Sequence, residues 1–258
     1  MGQEPLLDQA SLDRAVADAG IDVPPRFFAE VPSTSTIALE LAADGAPEWT
    51  VVAAGHQSAG RGRLGRSWVD APGKALAVSM ILRPPVPPDR GPLVPLLAAW
   101  AMVGAISLPA VRAKWPNDLM AGERKLGGIL AEGRVEGGEL DHVVLGVGIN
   151  VAMGEEDFPP DLRATATSLA LEGADTDDAA LLTRFLSALR GAWPPDDHDV
   201  AERYQRVCAT IGRRVRATTT SGARVEGMAT GISSTGALIV EGEEGEHVVA
   251  FGEVAHLE

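Results

Sequence analysis

Apolar positions recur at helical spacing over residues 8–19, where Leu12, Ala15, Val16 and Ala19 share one face and Gly20 supplies a stop. An extended segment at 26–31 follows. Ser33 or Thr34 can then cap a helix running to about Ala43 and ended by Asp44-Gly45. Residues 50–54 and 75–82 read as strands of β-branched and small apolar residues, the second closed by the proline-rich run 84–95. The stretch 91–111 carries no charge. Its helical part, 96–108 between Pro95 and Pro109, would be only about 20 Å long at about 1.5 Å per residue. A bilayer core is about 30 Å thick, so this reads as a helix buried inside an α/β domain. Residues 111–115 are extended, and 125–134 and 140–151 form a hairpin around Glu136-Gly137-Gly138-Glu139. Two helices follow, near 179–192 and 200–210.

The pattern changes at about Gly212. Short alternating strands at 215–219, 223–232, 237–240, 248–251 and 254–257 are punctuated by Gly222, Gly236, Gly242, Gly245 and Gly252. Several short strands in such a span predict a small barrel. The expected organisation is a larger α/β domain over 1–211 and a small β-domain over 212–258.

Composition narrows the partners. The chain has 258 residues, 22 Lys plus Arg against 36 Asp plus Glu, and a formal charge of −14. Such a balance argues against a general binder of DNA or of anionic membranes. The one cysteine, Cys208, excludes an internal disulfide and any Cys-x-x-Cys metal site, which suits a cytoplasmic protein. The first residues carry acids and no apolar signal core, and Leu6 occupies the place a myristoylation signal gives to Ser or Thr.

Three segments carry candidate chemistry. Gln57-Ser-Ala-Gly60-Arg61-Gly62-Arg63-Leu64-Gly65-Arg66-Ser67-Trp68 alternates glycine with arginine directly after a strand. Glycine permits close backbone approach, and arginine offers a permanent two-pronged cation for phosphate or carboxylate. In so acidic a chain, three arginines on one loop mark an anion site, with a solvated basic loop as the alternative. Lys114-Trp-Pro-Asn117-Asp118 precedes Lys125-Leu-Gly-Gly128, a lysine at the mouth of a glycine-rich strand; an ordinary surface hairpin would look the same. In Gly146-Val-Gly148-Ile-Asn150, alternate glycines leave one strand face bare, for a ligand or for tight packing.

In this order, GRGRLGRSW, KWPNDLM, KLGGILAE and VVLGVGINV resemble the biotin protein ligase family, from about Phe28 to the C-terminus. The resemblance implies a mixed α/β fold, in which a mixed sheet backed by helices forms a class II synthetase-like catalytic domain, followed by an SH3-like β-barrel. Fewer than 30 residues precede the motifs, so the resemblance is to the monofunctional class without a DNA-binding domain.

The resemblance also assigns roles. Ser33-Thr34-Ser35 stands where the family has Ser-Thr-Asn, a biotin-contacting turn, and Ser35 lacks the amide. Gln57 would bond biotin. Gly60, Arg61, Gly62 and Arg63 would fold over the ligand, with Arg63 holding the adenylate. Trp68 would pack near adenine; a core tryptophan is its alternative. Lys125 would contact the biotin carboxylate and the α-phosphate. Gly128, Gly146 and Gly148 would line the pocket, and Asn117 and Asp118 would lie at the reaction centre, Asp118 orienting the acceptor lysine. Lys125, Arg63 and Asp118 are thus the implied catalytic residues. ATP with Mg²⁺, and biotin, are the implied substrates, with no protein-bound metal. The implied partner is a biotin carboxyl carrier protein. Lipoate–protein ligase, with related chemistry, and a non-catalytic biotin sensor remain as alternatives.

Overall fold

The computed structural model describes residues 7–220 and 222–257. The reading of residues 1–6 lies outside the described residues. The first helix, α1 (Gln9–Asp18), begins at a reciprocal cap in which Asp8 Oδ1 accepts from Ser11 N at 2.7 Å. Strand β1 (Arg26–Phe28), helix α2 (Thr34–Ala43) and strand β2 (Val51–Ala54) follow. The glycine–arginine loop folds as a small hairpin of β3 (Gly60–Arg61) and β4 (Ser67–Trp68). Strand β5 (Ala75–Leu82) is buried along its whole length.

Helix α3 (Leu93–Ile106) starts three residues before the expected boundary and takes Pro95 into its first turn. Proline is tolerated there because the first-turn N–H groups have no intrahelical acceptor. Strands β6 (Val111–Lys114), β7 (Asp118–Ala121), β8 (Arg124–Glu136) and β9 (Glu139–Asn150) run antiparallel. The β8–β9 turn is Gly137-Gly138, with φ of 62° and 89°, the left-handed pair a two-residue hairpin requires. Helices α4 (Asp178–Gly191) and α5 (Asp197–Val207) complete this part.

The seven strands are ordered β1-β2-β5-β9-β8-β7-β6, with β1 parallel to β2. The two-residue period of the strands separates two faces. Leu76, Val78, Met80 and Leu82 of β5, with Leu145, Val147 and Ile149 of β9, face the core formed with α1, α3, α4 and α5. Val52, Ile81 and Val144 face the other way, against Ala38 and Ala42 of α2. The alternate glycines of β9 lie on this second face, beyond the first turn of α2.

The C-terminal strands β10 (Arg214–Thr219), β11 (Arg224–Ile232), β12 (Leu238–Gly242), β13 (Gly245–Val249) and β14 (Gly252–His256) form one antiparallel sheet ordered β13-β12-β11-β10-β14. Val215, Ala217, Leu238 and Val240 join the same apolar cluster as the helical layer. The indole of buried Trp115 donates to Gly236 O at 3.1 Å, tying the β6–β7 turn to this sheet. Among the described residues no helix is long and apolar enough to cross a membrane.

Candidate active site

The sheet register builds the floor of the site. Ala77, Gly148, Gly128 and Asp118 stand side by side across β5, β9, β8 and β7. Directly opposed residues share a face. The row is therefore nearly bare until it ends on a carboxylate. In the next row Ser79 faces Gly146. A Cβ added at Gly146 would lie 2.6 Å from Ser35 Oγ, so a side chain there would have to displace that hydroxyl.

The N-terminus of α2 forms one end of the site. Ser33 occupies the cap position, but its side chain makes no capping bond, and its Oγ is buried without a partner. This corrects the expected cap. Gln57, from the loop after β2, does that work: its Oε1 accepts from Thr34 N at 2.9 Å and from Thr34 Oγ1 at 3.1 Å. Thr34 Oγ1 meets Ser79 Oγ at 2.8 Å, and Ser35 Oγ meets it at 3.1 Å. Ser79 was not anticipated. It reads as an ordinary strand residue until the register places it beneath α2.

The three arginines of the loop diverge. Arg61 Nη2 donates to Glu132 Oε1 of β8 at 2.6 Å. Arg66 pairs with Glu253 of β14. Arg63 alone reaches the centre, where its Nη1 donates to Asn117 Oδ1 at 3.2 Å and to Gly252 O at 3.3 Å. Burial lowers the pKa of its guanidinium. Asn117 is fixed in turn by donation to Ile129 O at 3.0 Å. Trp68 is half-buried and lies across the glycine floor; a Cβ added at Gly148 would sit 2.7 Å from the indole, whose Nε1 is buried without a partner.

Lys125 Nζ lies 2.5 Å from Asp118 Oδ1. Its main chain is clamped by the segment after β9, with Lys125 N donating to Thr165 O at 2.7 Å and Thr167 N donating to Lys125 O at 2.8 Å.

These groups surround a cavity of about 290 Å³. Thr34, Ser35, Gln57, Arg61, Gly62, Arg63, Trp68, Asn117, Asp118, Lys125, Gly128, Gly146 and Gly148 are brought to its wall. Ser33 and Gly60 are not; Gly60 is pressed against the Trp68 main chain, where a Cβ would lie 2.5 Å from Trp68 O. Five basic side chains, from Arg61, Arg63, Arg66, Lys114 and Lys125, face two acidic ones, from Asp118 and Glu253. A chain of net charge −14 thus concentrates positive charge here. Lys114, quoted in its motif without a role, and Glu253, outside every motif, also reach this wall, through the turn at Trp115 and the approach of β14.

Residues 27–150 match the biotin/lipoate A/B protein ligase family, and residues 210–257 match the biotin protein ligase C-terminal domain. The biotin–[acetyl-CoA-carboxylase] ligase of Mycobacterium tuberculosis is 35% identical over 270 aligned positions, which cover 98% of this chain and 97% of that protein. The chain belongs to the biotin protein ligase family. A second relative, the bifunctional ligase/repressor BirA of Bacillus subtilis, is 37% identical over 83% of this chain and 68% of its own length. Among solved structures, the biotin protein ligase from Aquifex aeolicus in complex with biotin and ATP superposes with a TM-score of 0.72. It covers 91% of this chain and 98% of its own at 24% identity, which supports the shared fold. The first family match takes in the glycine floor, the arginine loop and Lys125, and the second takes in β14 with Glu253.

Proposed function

We propose that this chain is an ATP-dependent biotin protein ligase that makes biotinyl-5′-AMP and passes the biotin to one lysine of a biotin carboxyl carrier protein. The carrying observation is the Lys125–Asp118 pair beside Arg63 and Asn117, over a floor stripped of side chains. In the first step a biotin carboxylate oxygen bonds to the α-phosphorus of ATP, and pyrophosphate leaves. Two anions must meet, so fixed positive charge lowers the barrier. Lys125 and Arg63 supply it. Among the described residues no group of three His, Cys, Asp or Glu could hold a metal ion. Mg²⁺ would enter with the nucleotide, as its magnesium complex.

In the second step the carrier lysine nitrogen bonds to the biotinyl carbonyl carbon, and AMP leaves. The amine must be neutral, although a free lysine titrates near ~10.4. The Lys125–Asp118 pair suggests how both steps share one site. An arriving phosphate draws Lys125 away from Asp118, and the freed carboxylate can accept the proton of the incoming amine. Water would destroy the adenylate, so the arginine hairpin with Trp68 works as a cover. Gln57, bonded to Thr34, with Thr34 and Ser35 joined through Ser79, forms the polar end suited to the biotin ring system. Residues 1–211 would carry this chemistry and 212–258 would brace it from the side. Carrier and enzyme would meet in the cytoplasm.

Incubation with biotin, Mg²⁺ and ATP tests the reading. Biotinyl-5′-AMP and pyrophosphate should form in equal amounts. Adenylate formation with lipoate instead would reassign the substrate, and tight biotin binding with no pyrophosphate would make the chain a sensor.

A further inference from the structure

The three loop arginines have unequal surroundings, and the inequality assigns a role to Glu132, the last residue of the KLGGILAE segment, to which the resemblance gave none. Glu132 lies two strand steps beyond Gly128 on β8, paired opposite Val144, so it emerges on the same face as the glycine floor. The β7–β8 pairing ends at Gly128, so among the described residues no strand flanks Glu132 on its outer side. Its Oε1 receives Arg61 at 2.6 Å, while its Oε2 is buried with no partner. At the other end of the hairpin Arg66 pairs with Glu253. Between these two points the tip closes on itself, with Gly62 N donating to Arg66 O at 2.8 Å and Leu64 in the left-handed region at φ 56°.

We infer that Glu132 is a positioning residue: it anchors the near end of the arginine hairpin through Arg61, so that Arg63 is presented to Asn117 and the closed cover retains the adenylate. The inference rests on the adenylate chemistry proposed above. Arg61 thereby works as a tether, and Arg63 is the loop arginine left to meet phosphate. The pair is partly exposed, with side chains 40% and 27% accessible, so its contribution is modest and depends on salt.

The test uses Glu132→Gln, an isosteric change on a partly exposed site. Without ligand, trypsin should cut after the loop arginines about fivefold faster than in wild type, equivalent to about 1 kcal/mol at about 1.4 kcal/mol per factor of ten. Release of preformed biotinyl adenylate should accelerate by a similar factor, while the rate of its synthesis at saturating substrates stays within about twofold. Raising the salt should speed wild-type cutting towards the variant's rate and leave the variant unchanged. Glu132→Asp, which keeps the charge, should recover the salt dependence. Equal cutting and equal release in wild type and Glu132→Gln would overturn the inference. So would a large loss of synthesis with cutting and release unchanged, which would put Glu132 in the chemistry instead. A wild-type protein that makes no adenylate overturns the function itself, and the cutting rate then decides the anchor alone.

Discussion

Asp118 Oδ1 and Lys125 Nζ are 2.5 Å apart, joined across the short β7–β8 hairpin at the end of the glycine row. Each is the natural partner of something the reaction must bring in. The lysine suits the phosphate, and the carboxylate suits the acceptor amine. Their pairing keeps both charges compensated beside a cavity that is otherwise strongly basic.

Replacing that lysine should therefore damage the first step most. Lys125→Ala is expected to lower adenylate formation by about 10²–10³, the usual cost of losing one transition-state charge contact. Folding should survive, since the side chain is 40% exposed. Pyrophosphate release under single-turnover conditions measures it, and a rate within threefold of wild type would remove Lys125 from the chemistry.

Arg63 is the loop arginine that touches both the reaction centre and the C-terminal sheet, through Asn117 and Gly252 O. Arg63→Gly should open the cover more than it slows synthesis. Adenylate release should rise about tenfold or more, in keeping with about 1.5–3 kcal/mol for hydrogen bonds made by a charged group. The escaped adenylate should label lysines of bystander proteins. Unchanged release would show that the cover is held without it.

Gly148 lies under the Trp68 ring, where a methyl group would stand 2.7 Å from the indole. Gly148→Ala should push Trp68 off the floor and raise the biotin KM about tenfold or more, with a smaller effect on kcat. The shift should appear in the tryptophan fluorescence response to biotin. An unchanged KM would mean that the ligand does not approach this part of the floor.

Much of the fold is legible along the chain because it is local. The β8–β9 hairpin follows from two strand-like runs around Gly137-Gly138, and β5 from its unbroken apolar run. Strand β7 is not legible: Asp118–Ala121 is four residues long and becomes a strand by pairing with β6 and β8. The start of α3 is misplaced because proline normally marks a helix boundary, yet Pro95 sits in the first turn. Within the site, residue types are visible but partners are not. Gln57 caps a helix 23 residues earlier, Arg61 meets Glu132 across 71 residues, and Arg66 meets Glu253 across 187. Such pairings depend on sheet order and on the approach of the C-terminal strands, which no local pattern encodes.

One prediction concerns stability. Asp178 is 2% exposed, neither of its carboxylate oxygens has a partner, and burial, aided by the charge of Asp177, raises its pKa to about 7. The folded chain thus holds a proton that the unfolded chain releases near its ordinary value of 3.8. This contribution to stability is present in acid and is lost as pH rises through about 7. Asp178→Asn should therefore be more stable than wild type at pH above about 7, gaining about 2–4 °C in Tm per kcal/mol restored. The difference should shrink or reverse towards pH 5. A variant less stable at both ends would show that the ionised carboxylate is favoured in place.

The central claim is a transfer of biotin, and mass spectrometry of an isolated biotin carrier domain tests it most directly. After incubation with this protein, biotin, Mg²⁺ and ATP, the carrier should gain the mass of one biotinyl group, on one lysine. The gain should require ATP and fall sharply with Lys125→Ala. An unmodified carrier, or a lipoyl carrier modified by lipoate under the same conditions while the biotin carrier stays unchanged, would contradict the account.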